Sequence, residues 1–161
     1  MSKKKEQKEE FTNTDLSNLY GATMTLLSIG KTKFEFNFAF IEIKKVLKPL
    51  AEPLMEKQEK LQTERQELIL KYCNKDDKGN AILFTNELGE REYKGLLLGE
   101  KPEFDKRKKV MDAALKSLMK TIVPDFDINE IKQTIKKDDL PTWSEKYTGH
   151  IQDAISRFIK D

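Results

Sequence analysis

The sequence predicts a mainly α-helical protein: a long-helix hairpin or bundle with a small β-hairpin insertion. Three observations lead there. Apolar residues recur at three- and four-residue spacing through most of the 161 residues, the period of helices with one buried face. Hydrophobic residues make up 37% against 36% charged, a balance that suits long helices with one buried stripe and wide solvated faces. Glycine-punctuated, strand-like runs are concentrated in residues 81–98, where a hairpin is the natural reading. The length is that of one ordinary domain. Folding at this size buries roughly 70% of the unfolded chain's surface, so a core is feasible without metals or disulfides.

Residues 1–11 are expected to form a flexible charged arm ahead of a single helical domain over 12–161. Met1 to Glu10 offer little to bury and read as a solubilising tail, or as a basic peptide for an acidic partner. A first helix is expected from Thr12 to Ile29. Thr12 or Thr14 can cap it, Asp15 sits in its first turn, and Leu16, Leu19, Tyr20, Thr23 and Leu27 follow helical spacing. Gly30 can stop it.

The next segment, Lys33 to Lys48, supports two patterns. Phe34, Phe36, Phe38 and Phe40 alternate with Glu35, Asn37 and Ala39, as in a strand. Phe36, Phe40, Ile43 and Leu47 also fit one helical face, and Phe34, Phe38 and Ile41 another. The helical reading is favoured because Ile41 to Leu54 is helix-like, giving a long helical region over 34–73. Such a helix must be buried on two sides or meet a partner. Pro49 and Pro53 interrupt the pattern. An interior proline costs about 3 kcal/mol, so a kink or a restart near Glu52 is expected, with Pro53 as the first helical residue. Leu54, Leu61, Leu68 and Tyr72 then form one stripe, suited to packing on a neighbouring helix.

Asp77-Lys78-Gly79-Asn80 is a turn signal. Ala81 to Thr85 and Glu92 to Leu98 are the expected strands, the second weakened by Gly95 and Gly99. A helix is expected over 102–122, with Phe104, Met111, Leu115, Leu118 and Ile122 on its apolar stripe and Lys108 as the exception. Phe126, Ile128 and Ile131 suit a short strand or turn. Thr142 and Glu145 resemble a capping box for a last helix over 143–160, with Trp143, Tyr147, Ile151, Ile155 and Phe158 inward.

Catalytic options are few. One histidine, His150, and one cysteine, Cys73, leave no nucleophile–base set and no zinc set with support in the spacing. His150 reads as a helix-face residue, with general base as the alternative. Cys73 reads as a small buried residue rather than a nucleophile. A calcium loop from Asn74 fails at Lys78 and Thr85, where carboxylates are needed. A second, from Asp125, fails at Glu130 and Lys136. No Gly-rich phosphate loop is present. No catalytic residue, cofactor or metal site is therefore assigned. A lone cysteine reads as cytoplasmic, and no apolar run is long enough to suggest export or a membrane span.

Net charge is +2, short of the basic excess usual in nucleic-acid binders. Lys106, Arg107, Lys108 and Lys109, with Lys116 and Lys120, nonetheless form a local basic helix face, diluted by Glu103, Asp105 and Asp112.

The parts also have a familiar order: a long helix ending ERQELILKYC, a KDDKGN turn, a hairpin, then EFDKRKKVMDAALKSL, DFDINEIK and a C-terminal helix. From about Asp15 onward this resembles a family of small domain-of-unknown-function proteins carried by tailed phages and prophages of Gram-positive bacteria. The Phe-rich segment and the two prolines depart from that pattern. The resemblance implies a viral accessory protein that works by binding in the infected host's cytoplasm, and it carries no catalytic residues. The expected function is non-enzymatic binding of a host, defence or viral protein, as inhibitor or assembly factor, with self-association as a variant. Nucleic-acid binding through the face at 106–120 is the alternative. The candidate partner-binding residues are Phe34, Phe36, Phe38, Phe40, Lys106, Arg107 and Lys109.

Overall fold

In the computed structural model, which describes residues 10–29, 33–131, 135–136, 138 and 149–160, the protein is mainly helical with a small β-hairpin. The helices are α1 (Asn13–Ser28), α2 (Phe34–Tyr72), α3 (Lys101–Lys120) and α4 (His150–Ile155). Strands β1 (Leu83–Thr85) and β2 (Arg91–Tyr93) pair antiparallel, with Leu83 opposite Tyr93 and Thr85 opposite Arg91. Strands β3 (Ile135–Lys136) and β4 (Ile159–Lys160) make a two-residue parallel pair. The elements expected of one domain over 12–161 are divided between two compact units, Met1–Met55 with Met119–Asp161, and Glu56–Leu118.

The first unit is organised on one face of α2. Phe36, Phe40, Ile43, Leu47 and Ala51 are all fully buried. They follow the three-and-four spacing that stacks side chains on one side of a helix. This resolves the Phe-rich segment as helix. Leu16, Leu19 and Leu26 of α1 and Ile155 and Phe158 near the C-terminus are also buried. Thr12 starts α1 with a reciprocal cap. Its backbone N–H donates to Asp15 Oδ2 at 2.8 Å, and the Asp15 N–H donates to the Thr12 hydroxyl at 3.3 Å. Two of the donors that every helix N-terminus leaves over are thereby satisfied. Gly30 lies outside the described residues, as do most of the arm and the Thr142 and Glu145 pair.

Three expectations are corrected here. The helix of α2 runs without interruption through Pro49 and Pro53, so the restart near Glu52 is absent. The prolines lie four apart and both are exposed, as is Lys45. The carbonyls deprived of an N–H donor therefore lie toward solvent, where water can replace the lost bonds. Helix α3 ends at Lys120 rather than 122. Ile122 instead bridges Thr12 in antiparallel fashion, with Val123 N–H donating to Phe11 O and Asn13 N–H to Thr121 O, both at 2.8 Å. The Thr14 hydroxyl donates to Met119 O at 2.9 Å, satisfying one carbonyl of the last turn. The helix expected over 143–160 is not continuous either. Gly149 has φ +90°, a conformation no helix interior allows. The helix C-terminal to it spans His150–Ile155, followed by a 3₁₀ turn at Ser156–Phe158 and then β4.

In the second unit, Ile69, Cys73 and Phe104 form a small buried cluster, with Tyr72, Ala81, Tyr93 and Leu96 packed around it. Tyr72 and Tyr93 each meet Phe104 edge-on at 5.7 Å between ring centres. The second strand is shorter than expected because Gly95 turns the chain at φ +89°. Any Cβ there would collide with the side chain and backbone nitrogen of Asn74. That close approach lets Asn74 N–H donate to Lys94 O at 2.8 Å while Ile82 N–H donates to Asn74 O at 3.0 Å.

The two faces of the Phe-rich segment should respond differently to truncation. Phe40→Ala is expected to cost about 3–5 kcal/mol in urea unfolding, whereas Phe38→Ala should stay within about 0.5 kcal/mol.

Candidate functional site

Opposite the buried stripe, α2 presents Phe34, Phe38 and Ile41 to solvent, at 76%, 51% and 43% exposure. Their i, i+4, i+7 spacing places them in one line on the helix. The Phe34 and Phe38 rings stack with centres 6.1 Å apart. The same line continues into polar residues: Lys45 pairs with Glu42 at 2.6 Å and Lys48 with Glu52 at 3.6 Å. An apolar strip with a charged end results. Phe36 and Phe40 drop out as docking residues because both are fully buried. The helical period that buries them is what turns their neighbours outward.

Within the second unit, Lys106, Lys109 and Lys116 are exposed on α3 and fall on one face at 100° per residue. Arg107 lies to the side and pairs with Glu103 at 2.6 Å, and Lys108 pairs with Asp112 at 2.9 Å. Only part of the basic run in the sequence is therefore free of an ion pair within its own helix.

The same unit holds a cleft of about 760 Å³ bounded by β1, β2, the following loop and α3. Its apolar wall includes Phe104, Leu96 and Leu98, and its polar wall Arg65, Tyr93, Lys101 and Lys108. Asp112 lies behind the polar wall and accepts from two cations. Arg65 Nε donates to its Oδ1 at 2.6 Å and Lys108 Nζ to its Oδ2 at 2.9 Å. Burial pushes the Asp112 carboxyl up, but the hydrogen bonds from Arg65 and Lys108 outweigh it and hold the group below the usual aspartate range. The bond to Asp112 raises Arg65 above its ordinary value, and the Tyr93 hydroxyl adds to this as a hydrogen-bond partner of the same guanidinium. Lys101 Nζ meets Glu92 Oε1 at 2.8 Å. That hydrogen bond lowers Glu92 and raises Lys101.

The residues considered for chemistry have structural surroundings. Cys73 is buried, and that burial raises its thiol above the ordinary value. This keeps it protonated and poorly nucleophilic. Asp76 accepts from the N–H groups of Lys78 and Asn80 at 2.9 and 2.8 Å, the bonding of a turn rather than of a cation loop. Asp127 caps a 3₁₀ turn at Ile128–Glu130 by accepting from Asn129 N–H at 3.0 Å. His150 is exposed at the start of α4 and lines a cleft of about 470 Å³ against α1 within the first unit. No group of three or more acidic, histidine or cysteine side chains that could hold a metal ion occurs among the described residues. No described helix is long and apolar enough to cross a membrane.

Comparison with family models, with curated proteins and with solved structures gave no match to this chain.

Arg65 and Tyr93 were not singled out by the sequence. The i, i+4 spacing of Lys108 and Asp112 is a recognisable signal. The partner of Arg65, 47 positions away on α3, has none.

Because the Asp112 carboxyl is held low, its contribution to stability is present above the unfolded-state pKa and is lost as pH falls through the folded-state value. Asp112→Asn is therefore expected to lower stability at pH 7 by less than about 1 kcal/mol, the pair being half-exposed. The gap from the unsubstituted protein should close below pH ~4. Urea unfolding of both proteins across this range checks it.

Proposed function

We propose that this chain acts by adhesion rather than catalysis, docking a protein partner through the Phe34–Phe38–Ile41 face of α2. The observation that carries this reading is the exposure of two stacked phenylalanines on a well-buried helix. Single exposed apolar residues are commonplace, but aligned aromatic anchors with a charged border are the pattern by which a helix seats itself in a partner's groove. Aromatic residues are also the side chains that most often dominate interface energies. The resemblance to small phage and prophage proteins supplies a setting: an accessory factor in an infected cell's cytoplasm that inhibits a host or defence protein, or assists assembly. Neither Cys73, with its raised and buried thiol, nor the turn-bound Asp76 has surroundings that activate it.

The Phe34→Ala/Phe38→Ala double variant is expected to keep its unfolding midpoint and lose its partner. Truncating two anchor aromatics should weaken the complex by 30-fold or more, from about 2 kcal/mol at a single hot spot. Affinity capture with both proteins, followed by titration of the captured partner, measures this. An unchanged affinity would remove this face from the function. Light scattering of both proteins reports whether the partner is a second copy.

A second reading rests on the Lys106, Lys109 and Lys116 face. Three lysines tracking phosphates on duplex DNA would give a salt slope of about −2.7, and neutralising one would reduce it by about 0.9. A gel-shift series at low salt with Lys106→Gln and Lys109→Gln tests this. No shift at low salt for the unsubstituted protein would end the nucleic-acid reading.

A further inference from the structure

The geometry points to a ligand site in the cleft of the second unit for a small organic anion carrying an aromatic or branched apolar body. Nothing in the proposed docking function requires this site, and it lies on different residues.

The anion end is set by charge. Arg65 and Lys108 converge on the single carboxylate of Asp112, through Nε at 2.6 Å and Nζ at 2.9 Å. The trio therefore keeps one positive charge. Arg65 engages Asp112 through Nε, which leaves the amino end of its guanidinium to the Tyr93 hydroxyl and to a ligand. A guanidinium end presents paired donors that match a carboxylate. Arg65, Lys108 and Tyr93 all line the cleft, and its carboxylates, Glu90, Glu92 and Asp105, are outnumbered by its cations. The body end is set by the exposed Leu83, Phe84 and Leu98, which line the same cleft with Leu96 above the buried Phe104. The cleft's volume, about 760 Å³, lies in the range of small-molecule sites, which combine mostly apolar walls with a few convergent polar groups. Acetate would satisfy the cations but leave the apolar wall wet. A neutral aromatic would do the reverse.

The test is an amide NMR titration of the whole chain with three probes: 2-naphthoate, 2-naphthylmethanol and acetate. Naphthoate is expected to move the amides of Tyr93, Leu96 and Phe104 saturably, with a Kd on the order of 1 mM from its size. The alcohol, which lacks the charge-assisted bond, and acetate, which lacks the apolar body, should each bind at least about tenfold more weakly. Arg65→Gln should weaken naphthoate by a similar factor, and Lys108→Gln serves if that variant does not fold. Asp112→Asn should tighten it, because the competing carboxylate is gone while both cations stay; a merely structural role for Asp112 predicts the opposite. Phe34→Ala/Phe38→Ala should leave naphthoate binding unchanged, which separates this site from the docking face. Equal binding by the alcohol would overturn the site. So would indifference to Arg65→Gln and Lys108→Gln, an Asp112→Asn variant as weak as Arg65→Gln, or shifts centred on Phe34 and Phe38.

Discussion

Burial of Phe36, Phe40, Ile43, Leu47 and Ala51 along one side of α2 is the constraint from which the first unit follows. At 100° per residue, fixing these five inward leaves no freedom over where Phe34, Phe38 and Ile41 point. Each fully buried phenylalanine or leucine contributes roughly 1.5–3 kcal/mol. The exposed ring pair cannot compete with the buried set for the inward position. The exposed aromatic face is thus a by-product of core packing, its geometry fixed by the buried stripe. Such rigidity would favour the docking proposed above, because a side chain already held in place loses less entropy on binding.

The second unit is built on a smaller apolar store. Ile69, Cys73 and Phe104 form its buried cluster, with two tyrosines packed edge-on against Phe104. Around this cluster the chain relies on local polar geometry: the Asp76 turn, the Asn86 turn, and the backbone bonds that bind Asn74 between Ile82 and Lys94. The Arg65–Asp112–Lys108 trio ties α2 to α3 here. Its half-exposed setting keeps its contribution to stability small. One carboxylate shared by two cations leaves a surplus of positive charge.

Much of this was legible in the sequence. A cap at Thr12 or Thr14 with Asp15 in the first turn, the buried stripes of α1 and α2, the hairpin and the start of α3 all follow from local patterns whose physics is contained within a few residues; the structure selects Thr12. What escaped was set by longer reach. The prolines of α2 read as breakers because sequence alone does not show that both face solvent. Helix α3 stops at Lys120 because residues 121–123 pair with residues 11–13, far away in the chain. Gly149 falls inside the helix expected over 143–160, and its positive φ, which nothing in the local pattern signals, does not fit a helix interior. Of the candidate docking residues, the alternating phenylalanines were visible as a group, but their division into buried and exposed pairs required the helical choice to be settled. The pairing of Arg65 with Asp112 had no local signature.

The first unit is discontinuous: Met1–Met55 and Met119–Asp161 contribute to it, with the whole of Glu56–Leu118 between them. During synthesis, the intervening unit leaves the ribosome complete while the first still lacks Phe158 and the strand partner of Ile135. Closing so long a separation carries a loop entropy that contiguous contacts avoid. Until the last residues emerge, α1 lacks the packing that α4 gives it. The nascent chain therefore passes through an interval in which the side of α1 that α4 covers is open to chaperones, and the speed with which the C-terminal segment arrives decides how long that interval lasts.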